Sequence, residues 1–186
     1  MDLNPDGAAR REPRFHVVFI CTYSVDEPVA EVVEAARRLP NIQFSFTGDP
    51  AYLPVEIRRR LPENVRLTGF LPDEEYLALL RGADAILSLT TEDHTMQRGG
   101  YEAVALEKPL VTSDWPLLRQ VFARGTVHAD NSPDGIEVAI REIMSDPQRW
   151  GREMARLRRE RERISAEQVG RLRRLLFDAR PERTPV

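Results

Sequence analysis

The stretch "AILSLTTEDHTMQRGGYEAVALEKPLVTSD", residues 85–114, predicts a strand, a polar loop, a helix and a second strand. Residues 85–90 and 108–114 have the mostly apolar character of short strands buried on both faces of a sheet. Residues 96–107 have the apolar spacing of a helix. A strand, a crossover helix and a further strand form the unit from which parallel sheets are built.

The rest of the chain continues the same alternation. Further strands are predicted at 15–23, 42–48 and 65–70, and further helices at 28–39, 72–83, 132–146 and 147–178. This order predicts an α/β fold with a doubly wound parallel sheet, which is a Rossmann-like architecture. We predict one domain at 15–146, an arginine-rich helical segment at 147–178, and disordered tails at 1–14 and 179–186.

Composition narrows the function classes. The 186 residues suffice for one domain with a substantial core, and a net charge of −3 gives no general attraction to nucleic acid. The single cysteine, Cys21, excludes an internal disulfide and predicts a reducing, cytoplasmic compartment; in its apolar run it is interpreted as a small buried hydrophobe. The chain contains no apolar run near the ~20 residues of a membrane span, and its first residues do not resemble a secretory signal.

The familiar nucleotide and hydrolase motifs are missing from the sequence. It contains no G-x-G-x-x-G, no G-x-x-x-x-G-K-[ST], no D-x-D and no G-x-S-x-G. The three histidines do not have the spacing of zinc ligands. We therefore expect no metal site and no bound cofactor.

The polar loop and the helix start after residue 90 remain as the candidate site, because ligands of such sheets bind beyond the carboxyl ends of the strands. A helix beginning near Thr95 would offer free amides and a partial positive charge to a phosphate. Arg98 could add a bidentate contact, and Glu102 could accept hydrogen bonds from a ribose diol. His94 could contact a sugar or transfer a proton. Alternatively, Arg98 is only solvated, Gly99–Gly100 only permits close packing, and the polar residues of the loop only cap the helix, namely Thr90, Thr91, Asp93 and Thr95.

Two segments carry a resemblance to a known family: "ENVRLTGFLPDEEYLALLRGADAILSLT" (63–90) and "YEAVALEKPLVTSD" (101–114). Their order and spacing resemble the C-terminal, nucleotide-sugar-binding half of GT-B glycosyltransferases, similar to the retaining family four (glycosyl transferases group 1). The resemblance covers about residues 15–145. It implies a hexosyltransferase that takes a nucleoside-diphosphate sugar as donor and needs no metal.

The resemblance also implies individual roles. Glu102 matches the second glutamate of an E-x7-E motif, which binds the ribose hydroxyls. The amides of Thr95, Met96, Gln97 and Arg98 would face the diphosphate, and Gly69 and Phe70, in the loop 69–72, would lie against the base.

The sequence departs from the family at two places. His94 stands where the family has the first glutamate, and "CTYSVDEP" (21–28) is acidic where the family has arginine and lysine. Arg98 could replace part of the missing phosphate clamp, the donor could differ, or catalysis could have been lost.

The expected partners follow from the architecture of the family. GT-B enzymes act in a cleft between two α/β domains, and this chain resembles the second, so we expect an acceptor-binding partner chain or domain. The alternatives are a non-catalytic, degenerate module that docks a partner chain and, on fold analogy alone, a phosphate-binding regulator.

Residues 149–174 contain ten arginines and four glutamates. This helix could lie on an anionic membrane surface, which would make the protein peripheral at the inner face of the membrane. Otherwise it packs its apolar side on this domain or on another one. No recognition motif for nucleic acid accompanies the arginines, so no nucleic-acid partner is expected.

Overall fold

The computed structural model of the chain describes residues 14–178, with side chains as far as Leu176. The predicted tails, 1–14 and 179–186, therefore lie outside the described residues apart from Arg14. The division between 15–146 and 147–178 falls at Asp146, which separates two helices and caps the second. That division remains a prediction.

A six-stranded parallel sheet forms the centre of the molecule, in the order β3-β2-β1-β4-β5-β6. The strands are β1 (His16–Phe19), β2 (Gln43–Thr47), β3 (Val65–Gly69), β4 (Ala85–Ser88), β5 (Leu110–Ser113) and β6 (Thr126–Ala129). Val18 of β1 pairs with Ser45 on one side and with Ile86 on the other. The strand order therefore reverses direction at β1 and β4, and the predicted doubly wound, Rossmann-like sheet is confirmed.

Seven helices surround the sheet in the described part of the chain. They are α1 (Val29–Arg38), α2 (Val55–Arg58), α3 (Asp73–Gly82), α4 (Arg98–Ala105), α5 (Pro116–Val121), α6 (Pro133–Ser145) and α7 (Pro147–Arg173), which continues as a π-turn over Arg174–Asp178; a 3-10 turn covers Pro50–Tyr52. The sequence did not predict α2, α5 or β6. Each has only four to six residues, too few to establish a periodic pattern.

The helix predicted over 96–107 begins two residues later, at Arg98, and no side chain caps it. Met96 packs into an apolar cluster instead of entering the helix. The threonines expected to cap it serve the preceding loop, where the Thr90 hydroxyl accepts from the Glu92 amide and the Thr91 hydroxyl donates to the Asp26 carbonyl. The capping alternative is therefore wrong, because no side chain forms a capping hydrogen bond at the start of α4.

Both faces of the sheet are covered, as the apolar strand runs predict. Val17 and Phe19 pack in one cluster with α1 and α6, and Val18 packs in a second cluster with α3, α4, α5 and α7. Each fully buried Phe or Val side chain of this kind contributes about 1.5–3 kcal/mol. The sheet edge that carries the loops is thus held between two packed layers.

The arginine-rich helix α7 packs on the domain through its first half. Met154 and Leu157 are buried in the second cluster, and Arg161 donates to the carbonyl of Val121. Further along, Val169 and Leu172 are exposed. The first half of α7 therefore packs on this domain, which is one of the two arrangements that the sequence left open for this helix. Among residues 14–178, no helix combines the length and the apolar character needed to cross a membrane.

Candidate functional site

A cleft of about 330 Å³ opens at the carboxyl ends of the first three strands and at the start of α4. Its walls are the turn after β1, the end of β2, the loop after β3, the first part of α3 and the first part of α4; the residues are Ile20, Cys21, Thr22, Glu27, Thr47, Gly48, Gly69, Phe70, Leu71, Asp73, Tyr76, Gln97, Arg98, Gly99 and Glu102. The cleft adjoins the point where the strand order reverses, which is where doubly wound sheets bind ligands.

Glu102 lies in the second turn of α4 and presents its carboxylate to this cleft. Tyr76 donates its hydroxyl to Oε2 at 2.6 Å, and Arg98 donates from Nε to Oε1 at 3.0 Å. The side chain is 18% exposed. Because each carboxylate oxygen has two lone pairs, both oxygens can accept a further hydrogen bond from a ligand.

Tyr76 was not recognised from the sequence, although the helix that carries it was predicted. Burial of the ring, followed by the hydrogen bond to Glu102, raises the pKa of its hydroxyl well above the ordinary value. The hydroxyl therefore remains a donor throughout the neutral range and holds the carboxylate in position. The available signal was an aromatic hydroxyl in the first turns of a helix that follows a strand end.

The amino terminus of α4 contributes backbone donors. In residues 14–178, no backbone carbonyl accepts from the amides of Arg98 and Gly99, and both residues line the cleft. This end of the helix carries partial positive charge, which favours an anion. The Arg98 side chain is 90% exposed, so it can move towards a ligand at little cost.

Five of the eight site residues expected from the sequence line the cleft together: Gly69, Phe70, Gln97, Arg98 and Glu102. Thr95 and Met96 do not, because the helix starts after them. Gly69 adopts a positive φ of 73°, which turns the chain after β3 and leaves the Phe70 ring exposed at the cleft.

His94 lies in the loop before α4 and does not line the cleft. Its imidazole is 84% exposed, and Nε2 is 3.5 Å from Asp93 Oδ2. Its backbone has a positive φ of 62°, and its amide donates to Asp93 Oδ1 at 2.7 Å. The side chain is therefore free to meet a group that approaches from outside the domain.

The glycines of α4 serve packing. A Cβ added to Gly100 would lie 2.4 Å from Cζ of Phe122, and one added to Gly99 would lie 2.7 Å from Oγ of Ser88. The helix can therefore approach β4 and α5 only because these side chains are absent. Gly100 therefore serves close packing alone, as one of the alternatives from the sequence proposes. Gly99 serves close packing and also lines the cleft.

The acidic turn after β1 folds around one of its own carboxylates. Glu27 accepts from the amide of Thr22 at 2.9 Å and from the amide of Ser24 at 3.0 Å. Burial raises the pKa of Glu27 above its ordinary value. Cys21, in the same turn, is buried, and burial raises the pKa of its thiol, as expected for a small apolar residue.

Comparison with known proteins agrees with this fold. Residues 27–176 match the family described as glycosyl transferase-like. No curated protein matches the sequence.

Solved structures share the architecture at low sequence identity. Sucrose-phosphate synthase of Thermosynechococcus elongatus is similar, with 21% identity over 90% of this chain and 46% of that chain, and a TM-score of 0.69. A glycosyltransferase of Rickettsia africae ESF-5 has 13% identity over 91% of this chain and 50% of its own, with a TM-score of 0.74. HepE of Anabaena, solved in complex with UDP and glucose, has 16% identity over 84% of this chain and 48% of its own, with a TM-score of 0.68.

The chain thus spans about half the length of the solved proteins that it resembles. Its sheet order and its cleft beside the strand-order reversal agree with that likeness. The match to the family covers more than half of its residues. The chain therefore belongs to the glycosyl transferase-like family and has the fold of the C-terminal half of a GT-B glycosyltransferase.

Proposed function

We propose that the cleft binds a nucleoside-diphosphate sugar and that the domain takes part in glycosyl transfer together with an acceptor-binding domain or chain. The observation that carries this proposal is the Glu102 carboxylate, which faces the cleft and is held there by Tyr76 and Arg98. A carboxylate fixed by two donors is a suitable acceptor for the vicinal hydroxyls of a ribose.

The diphosphate would lie against the start of α4. The amides of Arg98 and Gly99 would donate to phosphate oxygens, and the exposed guanidinium of Arg98 would add charge-assisted bonds. Donors at this position also offset the charge that develops on a departing diphosphate, so the proposed transfer needs no metal. Gln97 would extend the donor row by its side-chain amide.

The base would lie against the loop after β3. Gly69 and Phe70 line the cleft there, and the exposed Phe70 ring offers a flat apolar surface for a base. The sugar would then point towards the loop before α4, which contains Thr95 and Met96. We propose His94 as the acid or base that meets the sugar once a second domain closes over the loop.

Two facts support the wider setting of this proposal. The chain spans about half the length of the transferases that it resembles, and HepE was solved with UDP and glucose. We propose a hexosyl donor on this ground. We also propose a cytoplasmic location, which the single cysteine, Cys21, supports. The exposed apolar residues and the arginines in the second half of α7 would serve contact with the acceptor domain or with an anionic membrane surface.

Calorimetric titration with UDP, GDP and ADP tests the site. We expect one of the three to bind and Glu102→Ala to weaken it by about tenfold or more, as loss of a charged hydrogen-bonding partner does. Glu107→Gln is the matched control, because this acid lies just beyond the other end of α4 and outside the cleft. Equal affinity of the wild type and Glu102→Ala would remove the ribose assignment.

A second candidate function is a non-catalytic binding module. The acidic turn after β1 favours it, because residues 21–28 contain no arginine or lysine that could stabilise a departing diphosphate. The two functions differ in turnover. A module of this kind would bind the sugar nucleotide without releasing free nucleoside diphosphate from it, in the presence or absence of the acceptor-binding partner.

A further inference from the structure

The turn after β1 has a group of backbone amides beside the cleft, and a side-chain carboxylate already accepts their hydrogen bonds. Tyr23 has a positive φ of 63°, and the amides on its two sides, those of Thr22 and Ser24, both point at the carboxylate of Glu27. Successive amides around a left-handed residue form a concavity that binds anions. Here the anion is a side chain of the chain itself, five residues after Thr22.

The cleft as a whole has an unusual charge balance for a phosphate site. Its lining contains three carboxylates, those of Glu27, Asp73 and Glu102, against one guanidinium, that of Arg98. Glu102 is neutralised in part by Arg98, to which it is directly bonded at 3.0 Å. Glu27 has no cationic partner within salt-bridge distance among residues 14–178, so its charge acts on whatever enters the cleft.

We propose that Glu27 is a charge-selective residue of this cleft, which penalises each further negative charge on a bound phosphate and so favours a nucleoside-diphosphate sugar over the free nucleoside diphosphate. This inference rests on the proposed function. A diphosphate that is esterified to a sugar carries one negative charge fewer than the free diphosphate above the second phosphate pKa of about 6. A negative charge nearby therefore weakens binding of the free diphosphate more than it weakens binding of the sugar nucleotide.

The consequence for a transferase is release of its product. After the sugar leaves, the diphosphate gains the additional charge beside the Glu27 carboxylate and is repelled from the cleft. The amides that would otherwise bind this charge are occupied by Glu27. The donor is then held from the α4 side, through the amides of Arg98 and Gly99, and the turn after β1 supplies selectivity.

The test measures the affinity of three base-matched pairs: UDP with UDP-glucose, GDP with GDP-mannose, and ADP with ADP-glucose. Calorimetry is run on the wild-type chain, on Glu27→Gln and on Glu27→Ala. The glutamine retains an oxygen that can accept from the two amides but lacks the charge, and the alanine leaves the amides free. Glu63→Gln is the control, because this exposed acid precedes β3 at the opposite end of the strands.

For the pair that binds, the wild type should bind the sugar nucleotide more tightly than the free diphosphate. Glu27→Gln should shift the ratio of the two affinities by about tenfold towards the free diphosphate. A negative charge close to a bound anion is expected to weaken its binding by about this factor. Glu27→Ala should shift the ratio at least as far, and Glu63→Gln by less than about twofold. The inference would be overturned if the ratio of the two affinities were the same in both Glu27 variants as in the wild type. It would also be overturned if neither Glu27 variant bound any of the six ligands.

The outcomes separate this inference from the proposed function. Binding by the wild type that depends on Glu102 but not on Glu27 keeps the function and refutes charge selection. Binding of a free diphosphate by Glu27→Gln but of no nucleotide by the wild type supports charge selection and refutes donor binding by the natural chain.

Discussion

Replacement of Tyr76 by phenylalanine removes the hydroxyl that positions Glu102 and leaves the ring in place. The hydroxyl donates to Oε2 of Glu102 at 2.6 Å, and both side chains are partly buried. Tyr76 lies in α3 and Glu102 lies in α4, so the bond joins two of the helices that line the cleft. The variant therefore tests whether this contact stabilises the walls of the candidate site.

The expected loss can be worked from the geometry. A hydrogen bond to a charged acceptor contributes about 1.5–3 kcal/mol to folding. Arg98 still pairs with Oε1, and the Glu102 side chain is 18% exposed to solvent, so the lower end of this energy range applies. We expect Tyr76→Phe to lower the free energy of unfolding by about 1.5 kcal/mol. In a domain of this size that corresponds to a fall in Tm of about 3–6 °C.

The assay is urea unfolding of four proteins: the wild type, Tyr76→Phe, Glu102→Ala and the double variant. The coupling free energy of the two substitutions should be about 1–1.5 kcal/mol. It should remain constant between about pH 6 and pH 9, because the pKa of Tyr76 is raised in the folded state. A raised pKa keeps the contribution present below the unfolded value near 10, and the contribution is lost only as the pH rises further.

A coupling free energy below about 0.3 kcal/mol would refute this reasoning, because distant and independent sites already add within that error. The slope of unfolding free energy against urea should be the same in all four proteins. A changed slope would indicate an altered denatured state in place of a lost contact.

Three further predictions concern packing and pH. Gly100→Ala should lower the unfolding free energy by about 1–3 kcal/mol in urea titrations, because its Cβ would overlap the ring of Phe122 at 2.4 Å. Leu157→Ala should cost about 2–4 kcal/mol, whereas Leu172→Ala on the same helix should cost less than about 0.5, because the residues are 3% and 55% exposed. Burial lowers the pKa of His128, so the wild type should lose stability as the pH falls below about 6.5, and His128→Gln should lose less in thermal unfolding between pH 7 and pH 5.

Controls for these variants are available in the chain. Gly82→Ala should be neutral or slightly stabilising, because no atom beyond the adjacent residues and the neighbouring backbone of its own helix lies within 4 Å of the added Cβ. Equal losses for Gly100→Ala and Gly82→Ala would contradict the packing of α4 on Phe122. Equal losses for the two leucine variants would contradict the docking of the first half of α7, and a parallel pH profile for the histidine variant would contradict its burial as a neutral ring.

The fold was predictable because its signals are local. The runs at 85–90 and 108–114 are apolar because a parallel sheet covered on both faces buries every side chain of its central strands. The position of Glu102 could be predicted for the same reason, since a helix after a strand end places its first turns beside the ligand crevice.

The sequence misplaced the helix start and missed the short elements. Nothing in the residues before Arg98 distinguishes Met96 as a core side chain from Met96 as the first helical residue. That difference arises from the apolar cluster in which it packs. Strand β6 has only four residues, and His128 interrupts its apolar pattern, so it is recognisable only by its pairing with β5.

The sequence by itself determined the alternating α/β architecture and the location of an acid one turn into the helix after β4, because periodicity and strand ends are properties of neighbouring residues. Only the tertiary structure decided that Tyr76 meets Glu102 and that Glu27 fills the amide concavity of its own turn within the same cleft. These contacts depend on the order of strands in the sheet and on the left-handed turn at Tyr23, and no local pattern encodes either of them.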